Sequence, residues 1–441
     1  NLPISMDPLY SGQQQLYKRT LLAFNNCQCN NISDILKGPS FMPGLLEGVK
    51  VIDLSRYFSG PYCTKLFATL GAEVIKIESP NNGDPIRGYG PFASPTSTID
   101  TGAWFLYLNT SKQSITLDIK SEQGQSIVKD LIKSADILVE NFSPDTMDSL
   151  GLSYDELHKI NPQLVVTSIS NYGQTGPYKD WKGTELNLYA TGGLMNITGE
   201  PEGTPLKEGA PLAQLGTGQN AFVASMTALM HAEETGSGQH IDLSIAEYAT
   251  NVLENALMQY SYSGQEYSRV GNRGYGRAAW GIYPCGDGYV GIIAGPDQNW
   301  PEVSNIMERE ELGEEKYASR QGRLLYADEV DALMLPWLLD NNKVDIFKAG
   351  QEHGLGFSFV ANMQDILEME QLEARDYFVD LDHPVAGTLK YPGPPISPHT
   401  EVAAWVYQRA PLLGENTEEI ICKKLGYSQE TFLSLRSDGV V

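Results

Sequence analysis

The chain has 441 residues, 41% of them hydrophobic, and its 31 basic and 55 acidic side chains give a net charge of −24. That length allows roughly two or three domains around a large core. That charge argues against nucleic acid or an anionic membrane as partner.

Residues 1–45 are polar, with glutamines at Gln13–Gln15, and read as an appended arm holding one short helix around Gln14–Phe24. A β-branched run, Val49–Leu54, then meets the small-residue corner Ser59-Gly60-Pro61. A helix to Leu70 and a second apolar run, Ala72–Ile77, complete a parallel βαβ unit closed by the turn Asn81–Pro85. Its corner lacks the G-x-G-x-x-G spacing that would seat a pyrophosphate on the helix N-terminus. Strands are expected at Ser114–Ile119, Asp136–Glu140 and Leu164–Ser170, alternating with helices at Ser121–Ser134 and Tyr154–Ile160. That alternation implies a doubly wound parallel sheet. A helix at Thr217–Glu233, a strand at His240–Leu243 and a helix at Ile245–Tyr260 follow. From about 262 to 360 short strands (Tyr289–Ile293), helices (Asp328–Leu339) and dense Gly/Pro turns read as a smaller α+β domain.

Five scattered cysteines, an odd number, give no disulfide framework and point to a reducing, cytoplasmic setting. Cys27 and Cys29 have no His or Cys pair near them, so no metal is expected there. No apolar run approaches the ~18 residues of a membrane span, and no signal peptide is visible. His158 and His231 sit in helical segments and read as surface or packing residues rather than bases.

The stretch Leu46–Phe92 resembles the class III coenzyme A-transferases, a family that includes formyl-CoA transferase, carnitine CoA-transferase and α-methylacyl-CoA racemase. The resemblance returns at Ser114–Lys120 (SITLDIK), Asp136–Gly151, Glu234–Glu247 and Arg409–Ile420 (RAPLLGENTEEI). It implies a discontinuous large domain, 46–245, a small domain, 246–370, and a return to the large domain over 371–441. It further implies two chains threaded through each other as an interlinked dimer, with each active site shared between them.

The family's transfer chemistry uses a carboxylate nucleophile that attacks an acyl-CoA thioester, giving a mixed anhydride and CoA thiolate. In family transferases it is an aspartate about 25 residues before the Gln of a T-G-x-G-Q block, here Thr235–Gln239. The matching position is Gln214, with Gly209-Ala210 in register. A glutamine amide has no anionic oxygen, so the resemblance implies that the nucleophile is missing; Gln214 is left as a polar lining residue or as a group that binds a substrate carbonyl. Glu185 matches a glutamate near the transferase active site and reads equally well as a helix N-terminal glutamate. Thr184 and Gln214 stand where racemases carry their two bases, which excludes racemisation by that route.

For CoA the resemblance points to Arg56, Tyr57, Phe58 and Ser59, to Lys120, and to Asn141, Phe142 and Ser143, with Arg87 and Lys112 as further cations. Ser79 and Ser149 stand where some relatives have arginines. Gly271, Gly274 and Gly276 resemble a mobile glycine loop that closes over the site. Beyond CoA as substrate no cofactor is expected, neither metal nor nicotinamide nor flavin. The resemblance implies one of three functions. In the first, the chain is the nucleophile-lacking subunit of a hetero-oligomeric transferase moving CoA between a thioester such as succinyl-CoA and a carboxylic acid, as in the unlike pair acting on benzylsuccinate. Alternatively it is a self-sufficient acyl-CoA enzyme using Glu185 or another group, or a non-enzymatic acyl-CoA-binding protein.

Overall fold

The computed structural model describes residues 44–93, 98–274, 276–396 and 405–441. Cys27, Cys29 and the expected helix around Gln14–Phe24 lie outside them. In chain order the elements that position the site are β1 (Lys50–Asp53), α1 (Ser59–Thr69), β2 (Glu73–Glu78), α2 (Ala103–Leu108), β3 (Gln113–Thr116), α3 (Glu122–Ile132), β4 (Ile137–Glu140), α4 (Tyr154–Ile160), β5 (Val165–Ser170), α5 (Glu185–Thr191), α6 (Leu212–Thr235) and β6 (His240–Ser244). The six strands form one parallel sheet in the order β3-β2-β1-β4-β5-β6. Strands β4 and β5 are buried throughout and β1 is buried after Lys50, as a sheet covered on both faces requires.

One face packs Ile52, Leu138 and Val166 against α3 and α4 through Ile127, Leu131 and Leu157. The other packs Val51, Val139 and Val165 against α1 and α6 through Phe67, Ala221 and Leu229. The order reverses between β1 and β4, so a crevice opens beyond their carboxyl ends, the usual ligand position in open α/β sheets.

After β6, α7 (Ile245–Asn251) and α8 (Asn255–Ser263) replace the single expected helix. The break is at Glu254, whose φ of +51° is incompatible with a continuing helix. An antiparallel sheet of β7 (Trp280–Cys285), β8 (Gly288–Ile293) and β9 (Gly356–Phe359) follows, with its own core around Trp300, Val330 and Phe357. The hairpin of β10 (Phe378–His383) and β11 (Gly387–Pro392) does not join that core. Its Leu381 and Tyr391 pack with Ile86 and Phe105 from the first half of the chain.

The final segment returns to the parallel sheet. Ile420, Ile421, Phe432 and Leu435 are buried in the β1–β3 face, and the Asp118 N–H donates to the Val440 carbonyl at 2.7 Å. Each such side chain contributes about 1.5–3 kcal/mol by leaving water. The expected strand at Ser114–Ile119 stops at Thr116, but Leu117 and Ile119 are still buried where this segment covers them.

Candidate active site

The corner after β1 is built by close approach and by a clamp from β4. A Cβ on Gly60 would lie 2.2 Å from the Ser55 Cβ, so only glycine lets α1 begin this close to the strand. Asn141, the first residue after β4, accepts the Arg56 N–H at 2.8 Å and donates to the Arg56 carbonyl at 2.7 Å. Its amide also lies 3.4 Å from the Ser59 hydroxyl. Tyr57 takes a φ of +63°, and its N–H donates to Asp84 at 3.1 Å. The Arg56 guanidinium rests 5.0 Å from the Phe142 ring centre, within cation–π range.

These residues edge a cleft of about 450 Å³ beyond β1, β2 and β3. Of the ten positions expected to meet CoA, Arg56, Lys120 and Phe142 line it, and Ser79 lies on its wall. Ser59 is buried, Phe58 packs edge-on against Trp104 at 5.1 Å, and Ser143 is exposed and does not line the cleft. Tyr57 is 39% exposed at the corner and meets Tyr89 edge-on.

Two expected CoA contacts are corrected. Arg87 is fully buried, bonded through two nitrogens to Glu78 at 2.7 and 2.8 Å and to Asp100 at 2.8 Å, with Phe105 beneath it. Lys112 is also buried, donating to Asp53, Thr64, Asn109 and the Pro61 carbonyl between 2.7 and 3.0 Å. Both cations are consumed inside the fold, and neither lines the cleft. Burial pushes the Lys112 ammonium down to about 8 despite the facing Asp53. Burial acts to raise the Asp53 carboxyl, but Lys112, Lys76, Ser55 and Thr64 hold it below the usual carboxylate range.

Gln214 occupies the first turn of α6. Glu185 opens α5, and its carboxylate accepts the Ala213 N–H at 2.9 Å and the Gln214 N–H at 3.2 Å. Burial raises the Glu185 carboxyl above its ordinary value, opposed by these donors. One turn on, Gly218 faces the β1 corner, where a Cβ would lie 2.3 Å from the Ser59 carbonyl oxygen. Leu215 joins the apolar cluster that also holds Phe58, Tyr62 and Trp104. The helix carrying Gln214 is thus docked on the corner carrying Arg56. Two residues beyond Gln214, Gly216 leaves room for the Tyr248 hydroxyl, which would lie 1.9 Å from an added Cβ.

The glycine run lies elsewhere along the chain. Gly271 and Gly276 take φ of +65° and +62°, and the Gly274 N–H donates to the Trp280 carbonyl at 2.8 Å. The loop edges a cavity of about 650 Å³ with Arg269 and Arg273. Among the described residues its hydrogen bonds reach Gly199, Arg277, Trp280, Ile282, Arg320, Asp328 and Asp331, not Gln214 or Arg56.

Sequence reasoning misses Asp84, which joins Tyr57 to Lys76 at 3.0 Å, and Glu140, a buried carboxylate at the end of β4. Glu140 has a visible signal: a lone charge closing the apolar run Ile137–Val139. Among the described residues no group of three or more His, Cys, Asp or Glu is placed to hold a metal, and no helix is long and apolar enough to cross a membrane.

Comparison with known proteins fits this geometry. The profile of CoA-transferase family III matches residues 46–417. A succinate–glutarate CoA-transferase of Agrobacterium fabrum is 33% identical over 385 residues, covering 86% of this chain and 95% of its own. The beta subunit of a succinyl-CoA–L-malate CoA-transferase of Chloroflexus aurantiacus is 32% identical, covering 90% and 98%. The crystal structure of a CAIB/BAIF family protein from Brucella suis superposes with a TM-score of 0.80 at 31% identity, over 87% of this chain and all of that one. The chain belongs to CoA-transferase family III and is an enzyme of the CoA-transferase class.

Proposed function

We propose that this chain binds an acyl-CoA across the β1–β4 crevice and works in CoA transfer beside a homologous chain that supplies the nucleophile. The observation that carries the reading is the pairing at the start of α6. Gln214 has no anionic oxygen, and both oxygens of Glu185 already accept backbone N–H groups. In the transfer, a carboxylate attacks the thioester carbonyl, the C–S bond breaks and CoA leaves as thiolate. The thiolate then attacks the enzyme's own acyl carbon of the anhydride, whose C–O bond breaks, so the donor acid leaves as carboxylate and CoA stays as an enzyme-bound thioester. This chain's part is to hold the nucleotide half of CoA with Arg56 and Lys120 and to cover it with Phe142.

The substrates proposed are a succinyl-CoA-type donor and a carboxylic acid acceptor, in line with what the relatives' names say of them. That one relative is itself a beta subunit supports a partner chain. Apolar side chains left exposed on α6 and α8, among them Val223, Met230, Met258 and Tyr262, support an interlinked assembly that covers them. A cytoplasmic setting agrees with the free thiols of Cys63, Cys285 and Cys422. The second reading, in which Glu185 is itself the nucleophile, is favoured by its half-buried, raised carboxyl. The engaged oxygens disfavour it, because the two N–H donors draw charge from both oxygens and hold the carboxylate against the α6 N-terminus.

The test is to purify the chain alone and measure CoA transfer from succinyl-CoA to glutarate and L-malate, with native mass spectrometry of the complex isolated from its source. Inactivity alone and a second, homologous chain in the complex are expected. Turnover by the isolated chain would overturn the proposal.

A further inference from the structure

The loop that clamps Arg56 is itself pinned from below by a buried acid. Glu140 is 3% exposed at the end of β4, whose other three residues are fully buried. Its Oε2 accepts the Phe142 N–H at 2.7 Å, closing a tight turn around Asn141. Directly across on β5, in register with Glu140, stands Ser168. The Ser168 hydroxyl lies 2.9 Å from His240 Nε2 on β6, and the His240 ring stacks on Tyr154 at 5.4 Å. Polar side chains thus stand side by side on β4, β5 and β6 at the base of the turn.

The turn has little freedom left. With the Phe142 N–H fixed on Glu140, the Asn141 side chain faces the Arg56 backbone, which it grips at both N–H and carbonyl. Phe142 is carried under the Arg56 guanidinium by the same peptide. Both Arg56 and Phe142 line the cleft. A carboxylate buried this deeply is unfavourable unless its hydrogen bonds are needed, and a valine or threonine would complete the strand at lower cost. A buried acid at the base of a ligand loop has a further use in holding one peptide orientation.

We infer that Glu140 is a positioning residue for nucleotide binding: through the Phe142 N–H it sets the Asn141–Phe142 turn, and through that turn it places Arg56 at the cleft. The inference rests on the proposed binding of acyl-CoA in that cleft.

The experiment titrates coenzyme A, and adenosine 3′,5′-bisphosphate as the nucleotide half alone, into the full chain by calorimetry. Glu140→Ala removes the acceptor. Glu140→Asp keeps the charge but draws it back from Phe142, and serves where the alanine variant does not fold. Glu140→Gln retains an oxygen that can accept the N–H. Alanine and aspartate are expected to weaken both ligands at least fivefold, and glutamine to restore affinity to within threefold of wild type. A purely structural residue would not show equal loss on the nucleotide fragment together with rescue by the amide. A loss below fivefold in a folded alanine or aspartate variant, or no rescue by glutamine, overturns the positioning role while leaving CoA binding standing. Absence of CoA binding to the wild-type chain overturns the binding reading and the positioning role together.

Discussion

Glu185 and Gln214 are joined backbone to side chain: the Gln214 N–H donates to Glu185 Oε2 at 3.2 Å while Oε1 takes the Ala213 N–H at 2.9 Å. Glu185 thereby caps a 24-residue helix from 28 and 29 positions away, because Pro211, the residue before that helix, offers no side-chain oxygen. Glu185→Ala should destabilise the chain by about 1–2 kcal/mol, the usual range for a lost cap. Glu185→Gln, which keeps one acceptor, should cost less. Denaturant titration of both variants checks this, and equal stability of Glu185→Ala and wild type would contradict the cap.

Arg56 and Arg87 look alike in the sequence and should behave oppositely when removed. Arg56 is exposed on the cleft, so Arg56→Ala should weaken CoA roughly tenfold, about 1.4 kcal/mol, with little change in stability. Lys120→Ala should act in the same direction. Arg87→Ala and Lys112→Ala instead strand the buried Glu78 and Asp53 carboxylates, and each should cost about 3–5 kcal/mol of stability. Calorimetric CoA binding beside thermal denaturation separates the two classes. A loss of affinity in a stable Arg87→Ala protein would restore its expected CoA role.

What the sequence discloses follows from what is local. The β1-α1-β2 unit, the later strands of the sheet and the Gly60 corner are written in apolar runs and a small-residue turn, and most of them appear within a residue or two of expectation. The sequence pattern starts α6 late, at Thr217 rather than Leu212, because its cap is Glu185, distant in the chain. Burial of Arg87 and Lys112 is equally illegible. A cation in a matching block reads the same whether it meets a phosphate or a carboxylate folded against it from Glu78 or Asp53. The break at Glu254 carries no Gly or Pro to announce it. Glu140 is visible as a charge, but its bond to Phe142 depends on a turn that only the fold reveals.

Glu140 gives a pH signature with a definite sign. Burial raises its carboxyl to about 7 from an ordinary 4.5, with Ser168 and the Phe142 N–H pulling the other way and Asp242 adding to the rise. The folded chain therefore holds this proton more tightly than the unfolded chain. Its stabilising contribution is complete below about pH 4.5 and is lost as pH climbs through 7. A shift of this size corresponds to about 3 kcal/mol. Glu140→Gln removes the titration, so its melting temperature should exceed that of wild type at pH 8, and the difference should shrink toward pH 5. A constant difference across that range would show that Glu140 does not titrate there.

Restoring a carboxylate at Gln214 tests the whole assignment of the α6 N-terminus. Gln214→Asp places a second acid on the residue whose backbone N–H already bonds to the Glu185 carboxylate. Two carboxyls sharing one site resist ionising together, so the pair should bind a proton more tightly than either group alone. The new oxygen would stand on the first turn of a helix that Gly218 lets dock against the β1 corner carrying Arg56. Mixed with succinyl-CoA, the variant should gain the mass of a covalently attached CoA, which hydroxylamine releases from a thioester. Formation should rise with pH as the acid pair loses its shared proton. Intact-protein mass spectrometry reads the adduct, and peptide mapping must find it at position 214. An adduct on the unmodified chain that maps to Glu185 would identify Glu185 as a working nucleophile. A Gln214→Asp protein that binds CoA without forming an adduct would show that a carboxylate at this position does not reach the thioester.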